Sequence, residues 1–514
     1  MRKVVAVLLT AVLTMSCLAG CGNGGKGSSK DGRTQIQVKY WLAGLGSSWI
    51  DEVIEGFEAK YPEYKIVLES TSSSSAINSS LGKPELDETD LYLNVKTYNT
   101  EGYLEPLDDI LEYQVKGETK TIGEKFDPTY LQLEKSPDGH YYNLTYGGGM
   151  VGIYYNKKLF KNAGIKTVPR TTDELALACD TLFSSDIVPF CHFKPVGYWE
   201  DYMALAFFAQ YDGLDYVTNR YFGCTDEKGV SPSLNVFTEK NGRYQALKVL
   251  EGLVTPEYTL TGSNTYDHVT IQTMLINESA AMMVNGTWLS SEMASVGGTD
   301  DFGMMRTPVI SAIRDKLTTV ATDIELRALV TAIDSVIDGE KTEADYKQGD
   351  NYVVEGKTVS AADWAYVKAA RNTMALNATG NSALIPNYSD NIEGAKEFLK
   401  YLYSDEGYTI YANALQQTMP LSLSEGELDM SKWTKLAQQQ AQFMSTTEQF
   451  VSMYNASAHD IFTLGGARWL SIYTYCDRFC SSNVSDRITA EQAWKSVVTY
   501  AKESYDVWLK DISK

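Results

Sequence analysis

Alternating apolar and polar positions near the amino terminus predict a series of strands and helices. Residues 36–41 (IQVKYW), 64–70 (YKIVLES) and 90–95 (DLYLNV) are rich in β-branched and aromatic residues, which predicts three strands. Between the first two strands, apolar residues recur at helical spacing until Tyr61-Pro62 ends the pattern: Trp49, Ile50, Val53, Ile54 and Phe57. Strands that alternate with helices indicate an α/β protein whose sheet begins as a parallel βαβ unit.

A second series begins at residues 147–156 (GGGMVGIYYN), where another strand is predicted. A helix follows in 169–182, because Thr171 and Glu174 have the spacing of a capping box. Further along, the pattern predicts a helix around 266–277, a strand at 280–284, a helical pair at 392–415 and a helical tail from Trp469 to Trp508, with Thr489 and Gln492 as a cap pair. Residues 311–381 show little apolar regularity and are predicted to form a mixed insertion.

The stretch AAMMVNGTWL (280–289) places its largest side chain where packing does not require it. The apolar run ends at Asn285-Gly286, and Trp288 comes just after the turn. A core tryptophan would normally lie inside the element. Trp288 is therefore either a core residue that lies just beyond its strand or part of the wall of a binding site.

The first 34 residues have the pattern of an export signal and a tether. Arg2 and Lys3 precede an apolar run at 4–16 that is too short for a stable membrane helix. LAGC at 18–21 resembles a bacterial lipobox, in which the cysteine becomes the lipidated amino terminus. We therefore expect a signal peptide over 1–20 and a lipidated Cys21, and 21–34 forms a Gly/Ser-rich flexible tether. The expected location is the outer face of a bacterial cell membrane.

Composition narrows the possible ligands. A chain of 514 residues exceeds what one hydrophobic core usually serves, so at least two domains are expected. The net charge is −21, from 45 Lys and Arg against 66 Asp and Glu, and such a field repels nucleic acid. With Cys17 in the signal peptide and Cys21 lipidated, five cysteines remain beside only four histidines, and Cys476 and Cys480 lie one helical turn apart. We expect no full disulfide framework, no metal and no cofactor.

Four stretches together resemble the family 1 extracellular solute-binding proteins of carbohydrate ABC importers, the maltose-binding-protein-like family. They are GIYYNKKLFKNAGI (152–165), VPRTTDEL (168–175), ESAAMMVNGTWL (278–289) and NIEGAKEFLKYLYSDEG (391–407). The family's usual Gly-Pro-Trp is Gly-Thr-Trp here. Thr287 is expected to cap the following helix in place of the proline.

The resemblance implies two α/β lobes, each a sheet flanked by helices, joined by hinge strands around a ligand cleft. It divides the chain into lobe 1 (35–148 with 305–385, including the insertion 311–381) and lobe 2 (149–304 with 386–514). It also implies a monomer whose partners are a carbohydrate ligand, the permease subunits of an ABC transporter and the membrane through its lipid anchor.

Sugar recognition needs flat aromatic walls and polar groups that satisfy hydroxyls. Trp288 fits such a wall, with Asn285 beside it. By position in the family, the resemblance adds Trp469, Tyr198 and Trp199, with Glu200 as an acceptor. The carboxyl ends of the first and third strands add further candidates, because ligands bind at that edge of a parallel sheet: Trp41, Asn94, Lys96 and Tyr98.

Other functions remain open at this point. A polyamine binder would want an acidic cleft, and a peptide binder would have similar length. The sequence has no G-x-S-x-G, H-E-x-x-H or phosphate-binding loop. A thiaminase-like enzyme of related fold uses a cysteine nucleophile, and Cys191-His192 is the pair that invites the comparison. We expect a binding protein and no enzyme.

Replacement of Cys21 by serine tests the anchor. A thioether-linked acyl anchor needs the cysteine sulfur, and two or more acyl chains give stable attachment where one is marginal. The wild-type protein should partition into detergent, and Cys21→Ser should be released from the membrane fraction or retained as an unprocessed precursor. Identical fractionation of the two proteins would refute the lipoprotein prediction.

Overall fold

The computed structural model describes residues 32–42, 45–73, 77, 79–97, 102–136, 138–192, 199–293, 301–453, 459–463, 478–481 and 483–513. Its strands are Thr34–Trp41 (β1), Tyr64–Thr71 (β2), Leu91–Leu93 (β3), Leu144–Asn156 (β4), Met282–Gly286 (β5), Phe302–Met305 (β6), Lys347–Gln348 (β7), Asn351–Val354 (β8), Lys357–Val359 (β9), Thr373–Leu384 (β10) and Gln449–Val451 (β11).

The helices of the amino-terminal half are Ser48–Lys60 (α1), Asp108–Glu112 (α2), Ile122–Lys125 (α3), Pro128–Glu134 (α4), Lys157–Asn162 (α5), Thr172–Phe183 (α6), Leu205–Asp212 (α7), Asn235–Thr238 (α8) and Gly242–Leu253 (α9). Those that follow are His268–Ile276 (α10), Leu289–Met293 (α11), Asp323–Ile337 (α12), Ala361–Arg371 (α13), Ile392–Leu402 (α14), Asp405–Leu415 (α15), Lys435–Thr446 (α16), Asp460–Thr463 (α17) and Ala490–Ile512 (α18). A π-helical turn, Trp199–Ala204, leads into α7.

In the described part of the chain, eight strands form one sheet in the order β2-β1-β3-β10-β4-β5, with β11 on β10 and β6 on β4. β1 is parallel to both β2 and β3, so the predicted βαβ start is confirmed. β10 runs antiparallel to β3 and β4 and joins the two halves of the sheet. The helix α1 buries Trp49, Ile50, Val53 and Phe57, which are the apolar positions that predicted it.

Two large apolar clusters share this sheet. The N-terminal core contains Leu144 and Tyr146 from the first half of β4, and the larger core contains Val151 and Ile153 from its second half. β10 also contributes to both cores, but in the opposite order: Ala375 lies in the larger core and Ala383 in the N-terminal core. β4 and β10 are therefore the two strands on which the chain passes from one core to the other.

Packing groups the later segments differently from the predicted lobe boundaries. Phe398 of α14 and Tyr411 of α15 lie in the N-terminal core, where Phe57 of α1 meets Phe398 edge-to-face at 5.2 Å. Residues 309–370 pack instead with the larger core, because α12 has an amphipathic face: Leu326, Leu329, Val330 and Ile333. The predicted mixed insertion 311–381 thus contains a regular helix, α12, that packs with the core of residues 149–304.

A third crossing runs through α16. Ala437 and Ala441 pack in the N-terminal core, whereas Phe443 and Met444 pack against the cluster around Met150 and Met304. The chain then enters β11, beside the first half of β10, and ends in α18 on the larger core.

Helix ends follow the predicted caps in two places. Thr171 with Glu174 and Thr489 with Gln492 both form complete capping boxes. The tail is less continuous than expected, since residues 487–489 are not helical and α18 begins at Ala490. Among the described helices, none has the length and apolarity needed to cross a bilayer.

Candidate functional site

Trp288 rests on the backbone of two strands. Its side chain is half-buried, and it packs against the larger core. A Cβ atom added at Gly149 of β4 would lie 2.4 Å from Cε3 and Cζ3 of the indole, and one added at Gly286 of β5 would lie 2.1 Å from Cζ3. The six-membered ring can take this position only because both positions are glycine. We call Gly149 and Gly286 the glycine seat.

The seat is part of a longer stretch of β4 without side chains. A Cβ at Gly147 would lie 2.6 Å from the Tyr411 hydroxyl, and one at Gly148 would lie 2.8 Å from Cε1 of Tyr130. Three aromatic residues from other parts of the chain, Tyr411, Tyr130 and Trp288, therefore lie against three consecutive glycines of β4. The centre of β4 lies at the junction of the two cores.

On the N-terminal side of the junction, Asn94 ties strand ends together. It adopts a left-handed backbone with φ 61° just after β3. Its Nδ2 donates to the Trp41 carbonyl at 2.7 Å, and its Oδ1 accepts from the Tyr146 hydroxyl at 2.6 Å and from Asn381 Nδ2 at 2.8 Å. Asn94 is buried, so it fixes the ends of β1, β4 and β10 relative to one another.

Lys96 and Glu134 form an ion pair next to this amide cluster. Lys96 Nζ lies 3.0 Å from Glu134 Oε2, and only 2% of the Glu134 side chain is exposed. The other carboxylate oxygen accepts from Thr145 and, at 3.3 Å, from Ser382. The two charges neutralise each other, and every oxygen of the carboxylate has a donor.

Trp41 is half-buried on the same side. Its ring packs against the small apolar cluster of Tyr92 and Leu384, and its Nε1 donates to the Ser72 carbonyl at 3.4 Å. Tyr146 bonds to the Asn94 cluster, and Gly149 seats Trp288 three residues along β4, about 10 Å at roughly 3.3 Å per residue. Asn94 through Tyr146, Lys96 through Glu134 and Thr145, and Trp288 through Gly149 thus each connect to β4, and Trp41 connects to Asn94 through its backbone carbonyl.

Two other predicted residues do not join them. Trp199 is completely buried in the larger core and packs edge-to-face on Phe190 at 5.0 Å. Asn285 is buried too, and its Oδ1 accepts from the Gly286 backbone N–H at 2.7 Å, so its amide faces its own strand. Tyr98, Tyr198, Trp469, Cys21 and the side chain of Glu200 lie outside the described residues.

The Cys191-His192 pair has none of the features of an activated dyad. Both side chains are buried, and burial raises the pKa of the Cys191 thiol to about 12 and lowers that of His192 to about 4. The Cys191 Sγ points to the carbonyls of Ile271 and Met282, and neither ring nitrogen of His192 has a partner among the described residues. Within that same set, no three His, Cys, Asp or Glu side chains converge to hold a metal ion.

Burial destabilises the charged form of one carboxylate close to Trp288 in the chain. Glu292 lies in α11, and its backbone N–H donates to the Trp288 carbonyl at 3.0 Å. Its side chain accepts from Gln272 of α10, and desolvation raises its pKa to about 7. Partial burial of Glu292 therefore disfavours its charged form beside the Trp288 turn.

Comparison with known proteins settles the family. A family profile described as bacterial extracellular solute-binding protein matches residues 42–409. The chain belongs to this family. The resemblance read from the four sequence stretches is thereby confirmed, and the family is one of binding proteins that act outside the cytoplasm.

Individual relatives are distant in sequence. The sn-glycerol-3-phosphate-binding periplasmic protein UgpB of Brucella suis is 24% identical over 221 residues, which is 41% of this chain and 50% of that protein. The chain thus spans about half the length of the curated relatives of this kind that it matches.

Solved structures are similar over nearly the whole chain. A chitin oligosaccharide binding protein superposes with a TM-score of 0.59 at 16% identity, covering 92% of this chain and 99% of its own. The solute-binding protein RafE in complex with raffinose superposes with a TM-score of 0.59 at 12% identity, with coverages of 92% and 99%. At these identities the likeness establishes the fold, and the predicted two-lobed α/β architecture is confirmed.

The sequence interpretation overlooked several residues of the solute-binding protein's junction. Tyr130, Glu134, Asn381, Tyr411 and Gln417 all contact the same part of β4 or its neighbours. The available signal was the triplet Gly147-Gly148-Gly149, because glycines inside a strand often mark close approach of another group.

Gly149→Ala tests the glycine seat without any ligand. The added methyl would overlap the Trp288 ring, and overpacking of this kind costs about 1–3 kcal/mol of unfolding free energy. In a Trp288→Ala background, the same substitution should cost much less, because the obstacle has gone. Chemical denaturation of the four proteins measures both effects.

Gly252→Ala is the matched control, because Gly252 lies on the exposed face of α9 and nothing lies within 4 Å of its Cβ position. It should be neutral or stabilising. Equal costs of Gly149→Ala with and without Trp288 would show that the ring does not depend on the seat.

Glu292→Gln should change how stability depends on pH. The pKa of Glu292 is raised in the folded state, so its contribution to stability is fully present below its unfolded pKa, near 4.5, and declines as pH rises through about 7. The glutamine variant lacks this loss and can still accept from Gln272. At pH 8 we expect it to be more stable than wild type by about 1–3 kcal/mol, with little difference at pH 4.5. Parallel stability curves from pH 4.5 to 8 would contradict the assignment.

Proposed function

We propose that this solute-binding protein captures a carbohydrate at the core junction and delivers it to the permease of an ABC importer. The observation that carries the proposal is the position of Trp288, a half-buried indole held on the glycine seat at the end of β5. Tryptophan rings at such positions suit the weakly apolar faces of sugars, which offer C–H groups on their faces and hydroxyls around their rims.

The charge balance of the site supports an uncharged ligand. Lys96 is paired with the buried Glu134, and Glu292 has a pKa raised to about 7. A polyamine would require carboxylates available to bind its ammonium groups, and these two carboxylates have other roles. A phosphorylated polyol would require a cation, and Lys96 already holds a carboxylate at 3.0 Å.

The names of related proteins support the same ligand class without deciding it. Two structural neighbours are named as binding chitin oligosaccharide and raffinose, and a third is in complex with mannobiose. The UgpB relatives are named for sn-glycerol-3-phosphate, a small polyol phosphate. Glycerol-3-phosphate is therefore the competing ligand, beside the polyamine and peptide alternatives raised by the sequence.

The remaining parts of the proposal concern delivery. We propose that lipidated Cys21 and the 22–34 tether hold a monomeric binding protein at the outer face of the membrane, where it meets the permease subunits. Tyr98, Tyr198 and Trp469 stay candidates for further contacts with the ligand, with Glu200 as an acceptor of sugar hydroxyls.

A thermal-shift screen identifies the ligand class. The panel contains oligosaccharides of several linkages and lengths, sn-glycerol-3-phosphate, spermidine and a short peptide mixture. A ligand at one hundred times its Kd stabilises the folded state by about 2.7 kcal/mol, which is readily visible in a melt. A shift with an oligosaccharide supports the proposal, and a shift confined to the phosphate, the polyamine or the peptides overturns it.

Trp288→Ala should weaken binding of the identified sugar by roughly thirtyfold. Truncation of a desolvated tryptophan at a binding site can cost about 2 kcal/mol or more, and every 1.4 kcal/mol is a factor of ten in affinity. Titration calorimetry measures the affinity, and a melt of the unliganded variant measures the fold. Trp469→Ala should behave the same way.

Trp364→Ala is the control for this measurement. Trp364 is a buried core residue stacked on Tyr352 at 4.1 Å, away from β4. Its truncation should cost about 3–5 kcal/mol of stability and leave the affinity of the folded protein unchanged. If Trp288→Ala instead behaves like this control, Trp288 is a core residue and not a binding platform.

A further inference from the structure

Thr287 departs from the family pattern and does not act as the expected cap. Its backbone N–H donates to the Met150 carbonyl at 3.1 Å, a bond that the usual proline could not make. Its side chain is 3% exposed, yet Oγ1 has no hydrogen-bond partner among the described residues. A buried hydroxyl without a partner costs free energy, so this one requires an explanation.

A second buried atom without a partner among the described residues belongs to Gln417, in the segment that follows α15. Gln417 follows Gln416, which ends α15 in a left-handed conformation with φ 51°. Its Nε2 donates to the Gly148 carbonyl at 3.1 Å, whereas its Oε1 is buried and has no partner in the described part of the chain. The residue itself is 8% exposed.

Both side chains line one cavity of about 10 Å³ beneath the Trp288 turn. Gly148, Gln440, Trp433 and Ala441 form other parts of its wall. One water molecule needs about 10–15 Å³ of such space, and a buried water requires at least two polar partners.

Thr287 Oγ1 and Gln417 Oε1, the two polar atoms of the lining residues that have no partner in the described structure, are complementary to water. The Gln440 amide is already used, because its Oε1 accepts from Ser290 at 2.9 Å and its Nε2 donates to the Tyr154 hydroxyl at 2.5 Å. The Gln417 Oε1 can only accept, and the Thr287 hydroxyl can accept or donate. A water can therefore donate to Gln417 and exchange a hydrogen bond with Thr287.

We propose that Thr287 and Gln417 hold one ordered water that links the two cores beneath the Trp288 platform. Thr287 belongs to the turn between β5 and α11, and the neighbours of Gln417, Leu415 and Met419, pack in the N-terminal core. The bridge thus fastens the turn that carries Trp288 to the opposite side of the junction. It does not depend on the nature of the solute.

Thr287→Val and Thr287→Ser test the site, since valine keeps the shape of threonine without the hydroxyl. Crystal structures at high resolution should show a water within hydrogen-bond distance of Oγ and Gln417 Oε1 in wild type and in the serine variant, and not in the valine variant. Thr287→Val should lower the melting temperature by roughly 2–4 °C, and Thr287→Ser should restore most of it.

A double-mutant comparison with Gln417→Met separates a water bridge from two independent effects. Thr287 and Gln417 share no direct hydrogen bond, so coupling between them must pass through the cavity. We expect Thr287→Val to have a much smaller effect when Gln417 is already methionine. Absence of the water in wild type, a valine variant as stable as wild type, or fully additive melting shifts would each overturn the proposal.

Discussion

The junction depends on one constraint, which is that the centre of β4 has no side chains. Because Gly147, Gly148 and Gly149 leave the strand bare, Tyr411, Tyr130 and Trp288 can approach its backbone from three other elements. The same strand carries the chain from the N-terminal core into the larger core, so these three aromatic residues meet at the boundary. Any residue larger than glycine at these positions would have to displace one of them.

Around these three glycines, polar side chains form hydrogen bonds and an ion pair with one another. Asn94 joins three strand ends, Lys96 neutralises Glu134, and burial raises the pKa of Glu292 to about 7. The chain as a whole carries a net charge of −21, yet at the junction Lys96 is paired with Glu134 and the pKa of Glu292 is raised. An aromatic platform among neutral hydrogen-bonding groups is chemically suited to a sugar, whereas the surrounding acidity bears on solubility.

Local sequence patterns predicted individual helices and strands. They did not predict how segments that are distant in sequence pack together. The βαβ start and the capping boxes at Thr171 and Thr489 depend on residues close in sequence, and the structure contains them. The stripe of Leu326, Leu329 and Ile333 has helical spacing and was overlooked, so α12 was not distinguished within the mixed insertion predicted for 311–381. The choice of core for residues 392–441, and the burial of Trp199 on Phe190, depend on contacts with distant segments. Trp288 was found because its turn interrupts a buried strand, but the glycine seat that holds it required the structure.

The most direct test is a crystal structure with the oligosaccharide that gives the largest thermal shift. In that structure we expect a sugar ring stacked on the Trp288 indole at van der Waals distance, about 4 Å, with other hydroxyls of the ligand directed along β4 toward Lys96. Gly149 and Gly286 should remain in contact with the far side of the indole. A ligand bound elsewhere, with Trp288 touching protein alone, would show that Trp288 is not the sugar-binding platform.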